Sequence, residues 1–122
     1  MIFHFKSDEF SKRGFKMKVV QREIMNILPG KMAEAMTLLD QHMSIVSRIL
    51  NTPREKFPMR TYRPFIGGGD SMHTVIIEVE WDSLTAMSDF FEKIMVDKEM
   101  QGLMPKWGEV EASHQVEVLM LM

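Results

Sequence analysis

The sequence carries the same order of elements twice: strand, helix, strand, and then strand, helix, strand again. Alternating or continuous apolar residues bounded by turn residues predict the strands, and apolar residues three and four apart predict the helices. The predicted strands are Val19–Ile27, Met59–Phe65, His73–Trp81 and His114–Met122, with helices following Gly30 and Ser83. This βαββαβ order predicts an α+β fold with two helices on one face of an antiparallel four-stranded sheet.

The first helix has the clearest pattern in the chain. The turn Leu28-Pro29-Gly30 precedes it, and Thr52-Pro53 marks its end, because proline lacks an N–H group and restricts the residue before it. The apolar positions spaced for one helical face are Met32, Met36, Leu39, Met43, Val46 and Leu50. A second apolar row beside this one makes a stripe wide enough to pack on a sheet.

The second helical region is predicted to be interrupted. Asp82 and Ser83 are both suitable N-caps, and Asp97 resembles a new cap that starts a short helical turn over Glu99–Leu103. Three residues that disfavour helices follow and predict that the helical structure ends there: Gly102, Pro105 and Gly108.

Two strands indicate that a single subunit leaves part of its apolar sheet surface uncovered. His73–Trp81 has one apolar face, which suits the helices, and one mixed face. The last strand ends in five consecutive apolar residues, Val118–Met122, which need cover on both sides. Because two helices can cover only one face of the sheet, we predict a homodimer.

Composition sets further bounds. The chain has 122 residues, which suits one domain, and a net charge of −2, which gives no case for nucleic-acid or membrane binding. It contains no cysteine, so we expect a reducing, cytoplasmic setting. The histidines lack the spacing of metal ligands, and we predict neither a metal site nor a cofactor.

We place the compact domain at residues 18–122. Residues 1–17 form a basic extension that is either flexible or adds an edge strand through Ile2–Phe5. The segment Gly67-Gly68-Gly69-Asp70 joins two strands, so we interpret it as a hairpin loop and not as a phosphate-binding turn.

Three segments resemble the dimeric α+β-barrel superfamily, which includes antibiotic-biosynthesis-monooxygenase-like and NIPSNAP-like proteins. The matching segments are Leu28-Pro29-Gly30-Lys31, Arg60-Thr61-Tyr62-Arg63-Pro64, and Val75 to Leu84. The resemblance covers about residues 18 to 122 and implies two ferredoxin-like subunits whose sheets close face to face. It also implies a cavity between sheet and helices, and it supplies no common set of active-site residues.

The superfamily includes cofactor-independent monooxygenases, haem-degrading enzymes, isomerases and proteins without known activity. We therefore expect this chain to bind a small apolar or aromatic molecule in the cavity. The alternative is a cofactor-independent monooxygenase, or a related haem-degrading or isomerase-type enzyme, acting on such a compound. The sequence leaves open whether the protein is an enzyme.

Candidate catalytic residues are His42, Tyr62 and Arg63. His42 interrupts an apolar helical row, so it is a general-base candidate, and a buried structural histidine is the alternative. Tyr62 and Arg63, together with Arg60 as a ligand-binding residue, could orient an anionic oxygen. The alternative for the arginines is ion pairing with glutamates of neighbouring strands.

Two tryptophans complete the predicted site as ligand-binding residues. Trp81 ends the third strand on its apolar face, and we expect either core packing or an aromatic wall for a flat ligand. Trp107, between Pro105 and Gly108, is a candidate lid. His73 and His114 are predicted at strand ends, exposed to solvent.

Overall fold

The computed structural model describes residues 17–66 and 71–122. The predicted N-terminal extension, apart from Met17, and the predicted Gly67–Asp70 loop lie outside the described residues.

Four strands form a single sheet in which every neighbouring pair is antiparallel. The strands are β1 (Val19–Ile27), β2 (Met59–Tyr62), β3 (Thr74–Trp81) and β4 (Glu111–Met120), in the spatial order β2-β3-β1-β4. Three helices, α1 (Met32–Leu50), α2 (Leu84–Val96) and α3 (Lys98–Val110), accompany it. The predicted ferredoxin-like α+β fold is confirmed. Strand β2 stops before the predicted Phe65, because Pro64 has no N–H group for the ladder.

Helix α1 has the predicted bounds because left-handed backbone occurs in the turn before it and at the residue that ends it. Gly30 precedes it with φ of 81°, and Asn51 ends it with φ of 49°. The Asn51 N–H group donates to the carbonyl of Arg48, which satisfies one of the helix's last free acceptors. Its buried face packs on the sheet through Ala35, Leu38, Met43 and Ile45.

Each of the two later helices begins at a side-chain cap. The Ser83 hydroxyl accepts a hydrogen bond from the Ala86 N–H at 3.0 Å, and the Asp97 carboxylate accepts one from the Met100 N–H at 2.9 Å. Ser83, and not Asp82, is therefore the cap of α2.

The prediction that helical structure ends near Leu103 was wrong. Helix α3 continues to Val110 with Pro105 inside it. Its buried residues, spaced three or four apart, are Met100, Leu103, Trp107 and Val110. Burying each such side chain contributes about 1.5–3 kcal/mol. That total exceeds the roughly 3 kcal/mol that an internal proline costs and the ~1 kcal/mol cost of each glycine.

The core lies between the sheet and the helices. Alternation along β1 turns Val19, Gln21, Met25 and Ile27 toward the helices, where all four are buried. The opposite sheet face has no helical cover within the described residues. There Leu119 of β4 and Tyr62 of β2 are each 40% exposed. Among the described helices, none has the length and apolar composition that a membrane span needs.

Two alanine substitutions test the backbone argument. Within the described part of the chain, no atom beyond the adjacent backbone lies within 4 Å of a Cβ built on Gly30 or on Gly102, so neither alanine meets a tertiary clash there. Gly30→Ala forces alanine into left-handed backbone and should destabilise the protein by roughly 1 kcal/mol. Gly102→Ala lies within α3 and should stabilise it by about 0.5–1 kcal/mol. Urea unfolding of both variants checks this; a shift of the same sign in both would contradict the assigned conformations.

Candidate ligand-binding cavity

A cavity of about 320 Å³ lies between the sheet and the three helices. All three helices, strands β1, β3 and β4, and the segment Phe57–Met59 contribute to its wall. The wall is mainly apolar and rich in aromatic and methionine side chains. Its size and composition are those of a small-molecule site, in which a few polar groups orient a largely apolar ligand.

Polar side chains on the cavity floor form a chain of hydrogen bonds across three strands. Trp81 Nε1 donates to Gln21 Oε1 at 3.0 Å, and Gln21 Nε2 donates to Glu23 Oε2 at 3.1 Å. The other carboxylate oxygen of Glu23 lies 3.0 Å from His114 Nε2. Strand alternation and register create this chain, because all four side chains point to the helix side of neighbouring strands.

His114 lies between two carboxylates. Its Nδ1 atom is 3.6 Å from Glu111 Oε2, on the far side of the ring from Glu23. The interaction with Glu111, and next that with Glu23, raise the pKa of His114 to about 9, so the ring is an imidazolium at neutral pH. β4 already begins at Glu111, so His114 lies within the strand and not at its end as predicted. The predicted solvent exposure of His114 is confirmed, with its side chain 34% exposed.

His42 has the opposite electrostatic environment. Burial, more than any other effect, lowers the pKa of His42; His114 lowers it further, and Glu23 opposes both. Its Nδ1 atom is buried and has no hydrogen-bond partner in the described part of the chain. The lowered pKa keeps the His42 ring neutral at neutral pH.

His42 packs against Trp107. The two rings meet edge-on with centroids 6.3 Å apart. Trp107 is 7% exposed, and its Nε1 atom is also buried without a hydrogen-bond partner among the described residues. Trp107 is therefore a buried wall residue on α3, and not the lid suggested by its flanking proline and glycine.

The structure separates the six predicted site residues into two groups. His42, Trp81 and Trp107 line the cavity. Arg60 and Tyr62 lie on the opposite sheet face, because their neighbour Met59 points into the cavity and alternation reverses the direction. Arg63 follows β2, where its Nη2 atom donates to the carbonyl of Met72 at 2.9 Å.

Sequence reasoning missed four polar cavity residues: Gln21, Glu23, Glu111 and His114. A signal was available in β1, where alternation places Gln21 and Glu23 among the apolar side chains of the inward face. His114 likewise falls in step with Val116 and Val118 on the inward face of β4. Among residues 17–66 and 71–122, no three histidine, aspartate or glutamate side chains converge as a metal site would require.

The uncovered sheet face carries one row of alternating charge from edge to edge. The register aligns Arg60 of β2 with Glu78 of β3, Glu78 with Arg22 of β1, and Arg22 with Glu117 of β4. Arg22 Nη2 lies 3.4 Å from Glu78 Oε2, an ion pair of the kind proposed as the structural role of the strand arginines.

The sequence matches no model of a protein family and no curated protein. Solved structures, in contrast, resemble it over most of the chain. A NIPSNAP family protein from Agrobacterium tumefaciens superposes with a TM-score of 0.72 at 20% identity, covering 100% of this chain and 92% of its own. This chain shares the NIPSNAP fold.

Two further structures have the same architecture. A NIPSNAP-like domain protein from Burkholderia xenovorans has a TM-score of 0.69 at 14% identity, with 88% of this chain and 87% of that chain covered. SnoaB, a cofactor-independent oxygenase from Streptomyces nogalater, has a TM-score of 0.56 at 9% identity, with coverage of 84% and 90%. At these low sequence identities, the comparison shows that the folds are alike.

The two carboxylates around His114 predict a pH-dependent stability. The pKa rises from 6.5 in the unfolded chain to about 9 in the folded protein. The stabilisation is therefore complete below about pH 6.5 and is lost as the pH rises through about 9. The free energy of unfolding of the wild type should fall toward that of His114→Gln over this interval. Parallel pH profiles for the two proteins would contradict the assignment.

Proposed function

We propose that this protein binds a small, mostly apolar molecule in the cavity between its sheet and helices. The main support is the cavity itself, because an unfilled apolar space of this size loses packing contacts and a structural core would close it. The protein then acts as a carrier, sensor or accessory protein. We also propose a cytoplasmic location, which suits a chain without cysteine.

The hydrogen bonds of the polar cavity residues favour a binding function over a catalytic one. Gln21, Glu23 and His114 already bond to one another or to Trp81, and this arrangement fixes their positions. A catalytic histidine base normally has its second nitrogen held by an acceptor, which stabilises the proton it takes up. His42 has no such partner at Nδ1 within the described residues.

Filling the cavity tests the proposal. Val46 of α1 lines the cavity, and Val46→Phe adds an aromatic ring to that space. The neutral fluorescent probe N-phenyl-1-naphthylamine should bind the wild type, and the variant should bind it at least tenfold more weakly, a loss of about 1.4 kcal/mol. Fluorescence titration measures both dissociation constants.

Val96→Phe is the matched control. Val96 is 74% exposed on α2 and does not line the cavity, so the same substitution there should leave the probe affinity unchanged. Equal probe affinity in all three proteins would show that the probe binds elsewhere and would count against the cavity.

A cofactor-independent oxygenase is the second candidate. Its support is the fold shared with SnoaB together with a neutral histidine, His42, at the cavity wall. In that case His42 takes a proton from the reactive carbon of an anthrone, and the carbanion adds molecular oxygen to form a peroxide. The imidazolium returns its proton to the peroxide, which loses water to give the quinone. Oxygen uptake with anthrones, abolished in His42→Ala but retained in His73→Ala, would replace the binding proposal. No uptake by the wild type across an anthrone panel would count against an oxygenase.

We further propose that two copies pair through the uncovered sheet faces. Besides Leu119 and Tyr62, the single chain leaves Leu121, which is in step with Leu119, 49% exposed. The charge row is self-complementary: a twofold axis parallel to the strands sets Arg60 against the partner's Glu117, and Glu78 against the partner's Arg22. An axis across the strands sets like charges together, so charge complementarity selects the first arrangement.

A charge reversal at the edge of this row tests the pairing. Arg60→Glu places a carboxylate opposite the partner's Glu117 and should raise the dimer dissociation constant at least tenfold. Lys56→Glu, an equal charge change on the exposed turn after α1, should leave it unchanged. Sedimentation velocity and native mass spectrometry report the assembly. A folded wild-type monomer at micromolar concentration would overturn the proposal.

A further inference from the structure

The described cavity wall contains two acidic side chains and no lysine or arginine. Its titratable side chains are Glu23, His42, Glu111 and His114. Arg60 and Arg63, which the sequence offered as residues that orient an anionic oxygen, do not line the cavity. The sign of charge that the cavity accepts therefore depends on these four groups.

Their charges at neutral pH leave one net negative charge. Glu23 and Glu111 are carboxylates, His114 is held as an imidazolium between them, and His42 is neutral because burial lowers its pKa. The two groups facing His114 are Glu23 and Glu111, and the two facing His42 are Glu23 and His114. One imidazolium therefore balances only one of the two carboxylates.

Glu111 is the less satisfied of the two carboxylates. Its side chain is only 14% exposed, and His114 at 3.6 Å is its one polar side-chain contact within the described residues. Both oxygens of Glu23, in contrast, have partners at about 3 Å. A largely buried carboxylate with spare acceptor capacity attracts a cationic or hydrogen-bond-donating group.

Aromatic rings provide an apolar wall for the rest of such a ligand. Trp81 and Phe90 lie with ring centroids 5.0 Å apart, and Phe90 and Phe91 with centroids 5.9 Å apart. With Trp107, these rings line the cavity. Trp81 pairs with Val19 and Glu111 with Ile27, at opposite ends of β1, so Trp81 and Phe90 are placed to contact the apolar body of a ligand whose charged group lies at Glu111.

We propose that the cavity selects cationic ligands: amines or quaternary ammonium compounds with an apolar body. The positive group lies toward Glu111 and Glu23, and the apolar body packs against the aromatic and methionine side chains. Anions of equal size are rejected, because no cation in the wall is free to meet them. This inference rests on the proposed binding function and specifies its ligand class.

Three probes of similar shape separate the contribution of charge to the binding affinity from that of hydrophobic contact. They share a naphthylmethyl body and carry trimethylammonium, tert-butyl or sulfonate, and each competes with N-phenyl-1-naphthylamine for the cavity. At pH 7 the cationic probe should bind at least tenfold more tightly than the neutral one, and the anionic probe at least tenfold more weakly. The quaternary ammonium keeps its charge at every pH, so only the protein titrates.

Glu111→Gln should abolish the preference for the cationic probe while retaining the neutral probe. Glu109→Gln, two residues earlier on the exposed side of α3, makes the same charge change outside the cavity and should keep the preference. Glu23→Gln is the second cavity variant if Glu111→Gln does not fold. In the wild type, affinity for the cationic probe should rise as the pH passes about 9, where His114 loses its charge.

The outcomes separate the two proposals. Failure of all three probes to bind would overturn the binding function. Equal affinity for the cationic and neutral probes, or tightest binding of the sulfonate, would overturn the charge selection and leave the binding function in place. Loss of the preference in Glu109→Gln as well as in Glu111→Gln would place the cation outside the cavity.

Discussion

The alternation of side chains across one antiparallel sheet is the constraint on which the rest of this structure depends. Three helices cover one face, so the choice of face decides whether a residue joins the cavity and core or the uncovered surface. Met59 and Arg60 are adjacent in sequence, yet one lines the cavity and the other begins the charge row on the opposite side. A one-residue slip in register would exchange these environments along a whole strand.

The polar residues on the covered face follow from the same constraint. Once Gln21 and Glu23 point toward the helices, burial is costly unless each finds a partner, and strand register supplies Trp81 on one side and His114 on the other. This chain of hydrogen bonds positions the polar groups, and Glu111 together with Glu23 keeps His114 protonated. The cavity thus acquires a fixed charge from groups that also hold the three strands in register.

Local signals predicted the parts of the fold that depend on nearby residues. The bounds of α1 follow from Gly30 at one end and the residues before Pro53 at the other. The prediction failed at α3, where Gly102 and Pro105 argue locally against a helix and burial of Trp107 and its neighbours outweighs them. In the site, His42 was identifiable because it interrupts an apolar row, and Trp81 because it ends the apolar face of its strand. The carboxylates around His114, in contrast, meet only after strands distant in sequence pair.

The sequence by itself determined the order of elements, the apolar faces and the shortage of cover on one side of the sheet, because these depend on periodicity along the chain. Only the tertiary structure decided which polar residues meet. Glu23 and His114 are 91 residues apart, and the spatial order of the strands makes them neighbours. The protonation of His114 and the sign of the cavity's charge follow from this proximity, because electrostatic interaction depends on distance in space and on exclusion of water.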